Sequence, residues 1–192
     1  MFAKFIFTQG GNELKKWIYA GLSCLMIGGM LNVPSMASAA DGDPLQDGKS
    51  YVLKTWSTIG IPGFQYYGFV TKQVSLGSDV KRWEFLRLTN SASENGTPVT
   101  LEKDSINDCW RMKMSNPYWS GYDYITRSSI NNLYLDTKSA STCWQINNGN
   151  QEGYRTKIHQ YGSNQYWDKN YASNWMETGS IDAIYVNFLP VP

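Results

Sequence analysis

One histidine in 192 residues sets the first limit on chemistry. His159 lies in "YRTKIHQ", an alternating stretch, where a lone histidine is usually a structural residue. The chain has no Gly-x-Ser-x-Gly, no His-Glu-x-x-His and no Cys/His pair at metal-ligand spacing. Carboxylates are scattered, with no spacing that marks a glycosidase pair. The expectation is a protein that is not an enzyme, with no catalytic residues, no metal and no cofactor.

Aromatic and polar side chains share the loops instead. "NPYWSGYDY" (116–124) contains Trp119, "QYGSNQYWDKNY" (160–171) contains Trp167, and "LYLD" (133–136) contains Tyr134. Aromatic faces stack on sugar rings, and acid and amide groups bond to hydroxyls. That mixture suits a neutral, hydroxyl-rich ligand. The competing reading is that these rings plug the ends of a barrel.

The N-terminus bears on compartment. "WIYAGLSCLMIGGML" (17–31) follows Lys15 and Lys16 and precedes "SMASAAD". Charge, apolar run and small-residue cleavage site make residues 1–40 a secretory signal peptide rather than a membrane anchor. Residues 1–13 read as an untranslated stretch before a start at Leu14, the beginning of a Gram-positive signal peptide. Three of the 17 Lys+Arg and one of the 16 Asp+Glu lie in the first 40 residues, leaving 14 and 15. A near-neutral exported chain excludes nucleic acid as an electrostatic partner. Export leaves Cys109 and Cys143 in an oxidising place, where a Cys109–Cys143 disulfide can form. The alternative is that each is a small buried residue beside a tryptophan.

The elements that must position these residues are strands. "SYVLKT", "YYGFVTK", "RWEFLRL", "PVTLEK", "CWRMKM", "YDYITR", "LYLD", "CWQI", "YRTKIH", "QYWDK", "NWME" and "AIYVNF" are short, β-rich and separated by Gly, Asn, Ser and Asp clusters. Residues 41–49 read as a flexible leader and 50–192 as a single all-β domain. "VTLEKDSINDCWRM" (99–112) and "LYLDTKSASTCWQI" (133–146) align without a gap at an offset of 34, with Leu101 on Leu135, Glu102 on Asp136, Cys109 on Cys143 and Trp110 on Trp144. With a gap, "QYWDKNYASNWME" adds a copy ending at Trp175, and Trp83 marks a degenerate one. The spacing predicts core tryptophans repeated around one shared interior.

"DGKSYVLKT", "GTPVTLEKDSINDCWRM" and "NNLYLDTKSASTCWQI…GYRTKIHQ" together resemble the ricin-type β-trefoil lectins and the trefoil heads of Gram-positive secreted toxins. The resemblance covers nearly all of residues 48–188. It implies a β-trefoil-like pseudo-symmetric barrel, with another small β-barrel or a propeller-like repeat as the alternative. The family's Gln-x-Trp is absent: Asp108, Thr142 and Ser173 stand two places before the tryptophans. In those lectins the acid of "LD" holds sugar hydroxyls, which by motif implies Asp136 and Asp168 here, flanked by Tyr134 and Trp167. The implied function is a secreted carbohydrate-binding domain that recognises a cell-surface glycoconjugate or receptor. The alternatives are the receptor-binding component of a toxin acting with a partner toxin chain, and a secreted inhibitor or structural protein.

Overall fold

A computed structural model describes residues 45–57, 65–75, 83–91, 93–147, 156–170, 172–180 and 184–192. The expected signal peptide, the start at Leu14 and residues 41–44 of the leader lie outside the described residues; the rest of the leader is tied to β4, with Gly48 N donating to Leu101 O at 2.8 Å and Lys103 N to Asp47 Oδ1 at 2.7 Å. Twelve strands are defined: β1 (Ser50–Ser57), β2 (Gln65–Val74), β3 (Glu84–Leu88), β4 (Val99–Asp104), β5 (Cys109–Met114), β6 (Tyr124–Arg127), β7 (Leu133–Asp136), β8 (Trp144–Asn147), β9 (Lys157–Gln160), β10 (Tyr166–Lys169), β11 (Met176–Gly179) and β12 (Tyr185–Pro190). A single 3-10 turn, Lys138–Ala140, interrupts them.

Antiparallel pairings close six strands into a ring, β1–β4–β5–β8–β9–β12. Its last seam is the bridge between Thr156 and Val186, where each N–H donates to the other's carbonyl at 3.0 and 2.8 Å. The other strands form the hairpins β2–β3, β6–β7 and β10–β11. A second circuit of seven strands runs through two of them, β1–β2–β3–β7–β6–β5–β4. Each unit of four strands thus gives two strands to the ring and a hairpin to one end. This is a β-trefoil-like architecture: the short strands and turn spacing predict an all-β barrel, and the family resemblance implies the trefoil.

The hairpins meet by three single bridges: Phe85 with Tyr134, Asn132 with Glu177, and Trp175 with Arg87. The β6–β7 and β10–β11 registers match Tyr124 to Tyr166 and Asp136 to Gly179. By that register Tyr134 corresponds to Glu177, and Asn132 to Trp175. The bridges extend the correspondence to Arg87 and Phe85. Two positions, each occurring three times, therefore make the junction: Phe85/Asn132/Trp175 and Arg87/Tyr134/Glu177.

Strand alternation explains which side chains close the core. On β3, Glu84, Leu86 and Leu88 point in while Phe85 and Arg87 point out. Leu53, Val70, Leu101, Met112, Ile125, Leu133, Leu135, Ile158, Met176 and Val186 draw on all three units to fill one interior. A two-stranded hairpin is marginal alone, so only the shared core makes the hairpins permanent. At the interior's centre Trp144 and Trp167 are fully buried, edge to face, with ring centroids 5.5 Å apart. Trp144 Nε1 donates to Ile125 O at 3.1 Å, so this indole is buried without losing its hydrogen bond. The first hairpin also depends on Gly68, at φ +143, since an added Cβ would stand 2.9 Å from Thr89 O.

The structure corrects the repeat. Trp110 and Trp144 are register partners on neighbouring ring strands, not symmetry copies. The 34-residue offset matches β4–β5 with β7–β8, which slips the pattern by one strand relative to the four-strand unit. Trp83, Trp110 and Trp175 are half-buried, and only Trp144 of the four lies in the core. Cys109 and Cys143 are joined in a disulfide, with Cα atoms 5.7 Å apart, one residue before each member of the tryptophan pair.

Two outcomes follow. The disulfide closes a loop of 34 residues, so its reduction should lower stability by about 3–4 kcal/mol in the chain-entropy model. Urea melts with and without reductant check this, together with a thiol count of zero on the unreduced, denatured protein lacking residues 1–40, which carry the third cysteine, Cys24. Trp144→Ala should cost about 3–5 kcal/mol, the range for emptying a buried aromatic site, and half-buried Trp110→Ala distinctly less. Equal losses would mean that Trp110 is as central as its partner.

Candidate functional site

The junction residues face away from the core and are half-buried, so the residues that join the hairpins also line an outer surface. Trp83 extends this surface. Its ring lies 5.0 Å from Tyr134 and 5.8 Å from Phe85, and Phe85 lies 6.0 Å from Trp175. Four aromatic rings from three different strand ends therefore form one continuous array. Half-exposed rings present both an apolar face and polar edges, which suits a ligand with C–H and hydroxyl groups on different sides.

Asp136 sits at one end of the array. Tyr134 donates its hydroxyl to Asp136 Oδ2 at 3.1 Å, and the Thr137 N–H donates to Oδ1 at 2.7 Å. Each carboxylate oxygen keeps further accepting capacity. Burial first, then the hydrogen bond and charge of Asp136, push the Tyr134 hydroxyl up to about 12. It stays a neutral donor over all ordinary pH.

The other end is an open cleft of about 220 Å³ lined by Gln73, Arg87, Asn90, Asn174 and Trp175. Asn174 Nδ2 donates to Asn90 Oδ1 at 2.8 Å, and Asn90 N donates to Glu94 Oε2 at 3.2 Å. These bonds tie the loop after β3 to the turn before β11.

The sequence-derived site residues separate in space. Tyr134 and Asp136 come together in the array. Trp119 lies in the β5–β6 loop, half-buried, with its ring 4.7 Å from exposed Tyr118. That loop docks on hairpin β2–β3: Tyr118 N donates to Glu84 Oε2 at 2.6 Å, and Lys72 Nζ donates to Asn116 O at 2.5 Å and to Glu84 Oε1 at 2.8 Å. A buried ion pair survives desolvation when backbone groups complete its bonding, as here. Glu84 points inward on β3, so these bonds anchor the loop of Trp119 on the face of the hairpin opposite to Phe85.

Trp167 is a correction. It is fully buried against Trp144, and as a core residue it has no surface for a ligand. Asp168 differs from its motif reading too. It lies on β10 opposite Glu177, 8% exposed, and accepts from Lys169 N at 2.7 Å. Register places Gly179, not Asp168, at the position equivalent to Asp136, so the two acids are not a symmetric pair. Glu102, matched to Asp136 in the repeat, is on a ring strand and accepts from Tyr124 Oη at 2.8 Å and Lys138 Nζ at 2.5 Å.

One group of possible metal ligands comes together among the described residues. Asp104, Cys109 and Cys143 stand close together, but both sulfurs are tied up in the disulfide. His159 stacks 5.0 Å from Tyr166, with Nδ1 3.0 Å from Ser163 O.

Three solved structures are similar in fold. The arrowhead protease inhibitor A in its complex with two trypsins shares 12% identity at a TM-score of 0.57, over 80% of this chain and 98% of that one. The lysenin pore shares 14% at 0.54, over 77% of this chain and 49% of that one. Lysenin in complex with phosphocholine shares 16% at 0.54, over 79% and 48%. The chain thus spans about half the length of the lysenin chains. At such identities the likeness establishes the fold alone. No protein-family model matches the chain, and no curated protein does.

The raised Tyr134 hydroxyl has a sign that can be checked. An unfolded tyrosine ionises near 10 and this one near 12. Stability present below pH 10 is therefore lost as pH rises toward 12, because only the unfolded chain ionises there. Urea melts at pH 9 and pH 11 should show a larger alkaline loss for wild type than for Tyr134→Phe. Identical losses would place Tyr134 in open solvent.

Proposed function

We propose that the chain is a secreted binding domain, not an enzyme, whose ligand is a glycan displayed on a cell surface. The observation that supports this is the outward array of Trp83, Phe85, Tyr134 and Trp175, bordered by the carboxylate of Asp136. Sugar rings lie on the aromatic faces, and their hydroxyls bond to Asp136 and to the neutral Tyr134 hydroxyl. Trp119 lies outside the array, in the loop held by Glu84. Asp168 supports the third hairpin from inside, and Trp167 supports the core.

A second reading has specific support. Lysenin, similar in fold, forms a pore and has been seen bound to phosphocholine. On this reading the chain is the receptor-binding part of a toxin, its target is a phosphocholine headgroup, and a partner toxin chain completes the action.

A glycan array and phosphatidylcholine vesicles, run side by side, separate the two. Array binding without vesicle binding supports the first reading, and the reverse supports the second. For a glycan ligand, Asp136→Asn should fold normally, because the amide keeps the size and turn chemistry of a strand end. It should weaken binding by about five- to a hundredfold, the cost of one charge-assisted hydrogen bond. Asp168→Asn should leave affinity unchanged. Equal effects of the two variants would count against the array as the site.

A further inference from the structure

Arg87 differs from the other well-placed arginines. Arg127 directs Nε to Thr178 Oγ1 at 2.8 Å, Nη1 to Gln160 Oε1 at 3.2 Å and Nη2 to Asn131 Oδ1. Arg111 bonds to Ser141 O, Ser141 Oγ and Lys138 O, and faces Asp104 at 3.6 Å. These two hold loops together. Among the described residues Arg87, by contrast, makes one long side-chain hydrogen bond, from Nη1 to Asn90 Oδ1 at 3.4 Å. Its Nη2 stands 4.0 Å from Glu94, beyond hydrogen-bonding range, and its buried Nε has no partner. A guanidinium is always charged and carries five donors. In this fold it lines the concave part of the surface with most of them unused.

The lining of the cleft narrows the ligand. Gln73, Asn90 and Asn174 are neutral amides that both donate and accept, as hydroxyl and acetamido groups require. Trp175 supplies an apolar wall continuous with the aromatic array. Arg87 brings one positive charge, already moderated by Glu94, so a singly charged carboxylate balances it better than a doubly charged phosphate. The guanidinium fork also matches a carboxylate with two parallel hydrogen bonds. The small volume suits a single ring rather than a drug-sized molecule.

We infer that the cleft takes an acidic sugar residue, with Arg87 binding its carboxylate, the three amides its hydroxyl groups and Trp175 its apolar face. This deepens the glycan reading and rests on it. Acid specificity comes from the Arg87 end of the junction, and the Tyr134–Asp136 end takes the neutral sugars that follow in the chain.

The test uses the mature protein and matched probes: methyl glycosides of glucuronic acid and N-acetylneuraminic acid, each also as its uncharged methyl ester. Wild type should favour at least one acid over its ester by tenfold or more, with the preference shrinking as salt screens the pair. Arg87→Gln should remove the preference, lowering acid binding far more than ester binding. Arg87→Lys should restore only part, since it keeps charge but not the fork. Asn174→Asp adds a negative charge to the cleft and gives up the bond to Asn90 Oδ1, and it should weaken acid binding more than ester binding. It also carries the test if Arg87→Gln fails to fold. Equal wild-type affinity for acid and ester, or a preference that survives both Arg87→Gln and Asn174→Asp, overturns the inference. Inorganic phosphate competing as strongly as the acids overturns the sugar assignment. Neutral glycans that bind on an array without any acid preference would sink this inference alone. An array with no glycan bound would sink the proposed function with it.

Discussion

Three backbone bridges at equivalent positions hold the three hairpins to one another: Phe85 to Tyr134, Asn132 to Glu177, and Trp175 to Arg87. Each hairpin has one apolar face and no second sheet of its own to bury it against. The ring strands and the neighbouring hairpins supply that second surface, so the inner face of the junction becomes core. The outer face is then fixed by strand alternation, residue by residue. The side chains that form the candidate site are consequently positioned by the same contacts that close the fold. Because the bridges are made by the backbone, these outward side chains can differ among units without opening the junction. Arg, Tyr and Glu occupy one equivalent position, and Phe, Asn and Trp the other.

That freedom gives the symmetric frame an asymmetric surface. The bridge from Phe85 to Tyr134 is aromatic on both sides and is extended by Trp83. The bridge from Trp175 to Arg87 combines an indole with a guanidinium and opens into the cleft. The third, Asn132 to Glu177, is polar, with Glu177 also accepting from Asn170 Nδ2 at 3.2 Å. The disulfide and the buried Lys72–Glu84 pair stiffen the surroundings by different means, one linking ring strands and the other anchoring the β5–β6 loop. A rigid surround lowers the entropy lost when a weak sugar ligand binds.

Much of the fold could be read from the sequence because its signals are local. Short β-rich runs broken by Gly and Asn clusters mark nearly every strand, and the two cysteines at repeated positions suggest the disulfide. The threefold register was less legible. Cys-Trp occurs twice because two neighbouring ring strands pack together at that place, so a match of composition is not a match of position. The gapped alignment that pairs Asp168 with Asp136 is one strand out of step, which puts Asp168 on the inner side of a different strand. Tyr134 and Asp136 were found because strand end and acid are adjacent in sequence. Phe85, Arg87 and Asn174 were missed because only folding unites them: 87 residues separate Arg87 from Asn174. One clue was available, since Phe85 and Arg87 alternate with Leu86 and Leu88 and so must face away from the core.

If the outer face of the hairpin junction is the binding surface, its tryptophans must sense the ligand. An NMR titration of the tryptophan indole N–H signals, assigned by single substitutions, with the strongest-binding sugar from an array tests this directly. Trp83 and Trp175 should shift with saturable, matching affinities while the core indoles of Trp144 and Trp167 stay in place. Saturable shifts confined to Trp56 or Trp110, on the outer barrel wall, with Trp83 and Trp175 unmoved, would contradict it.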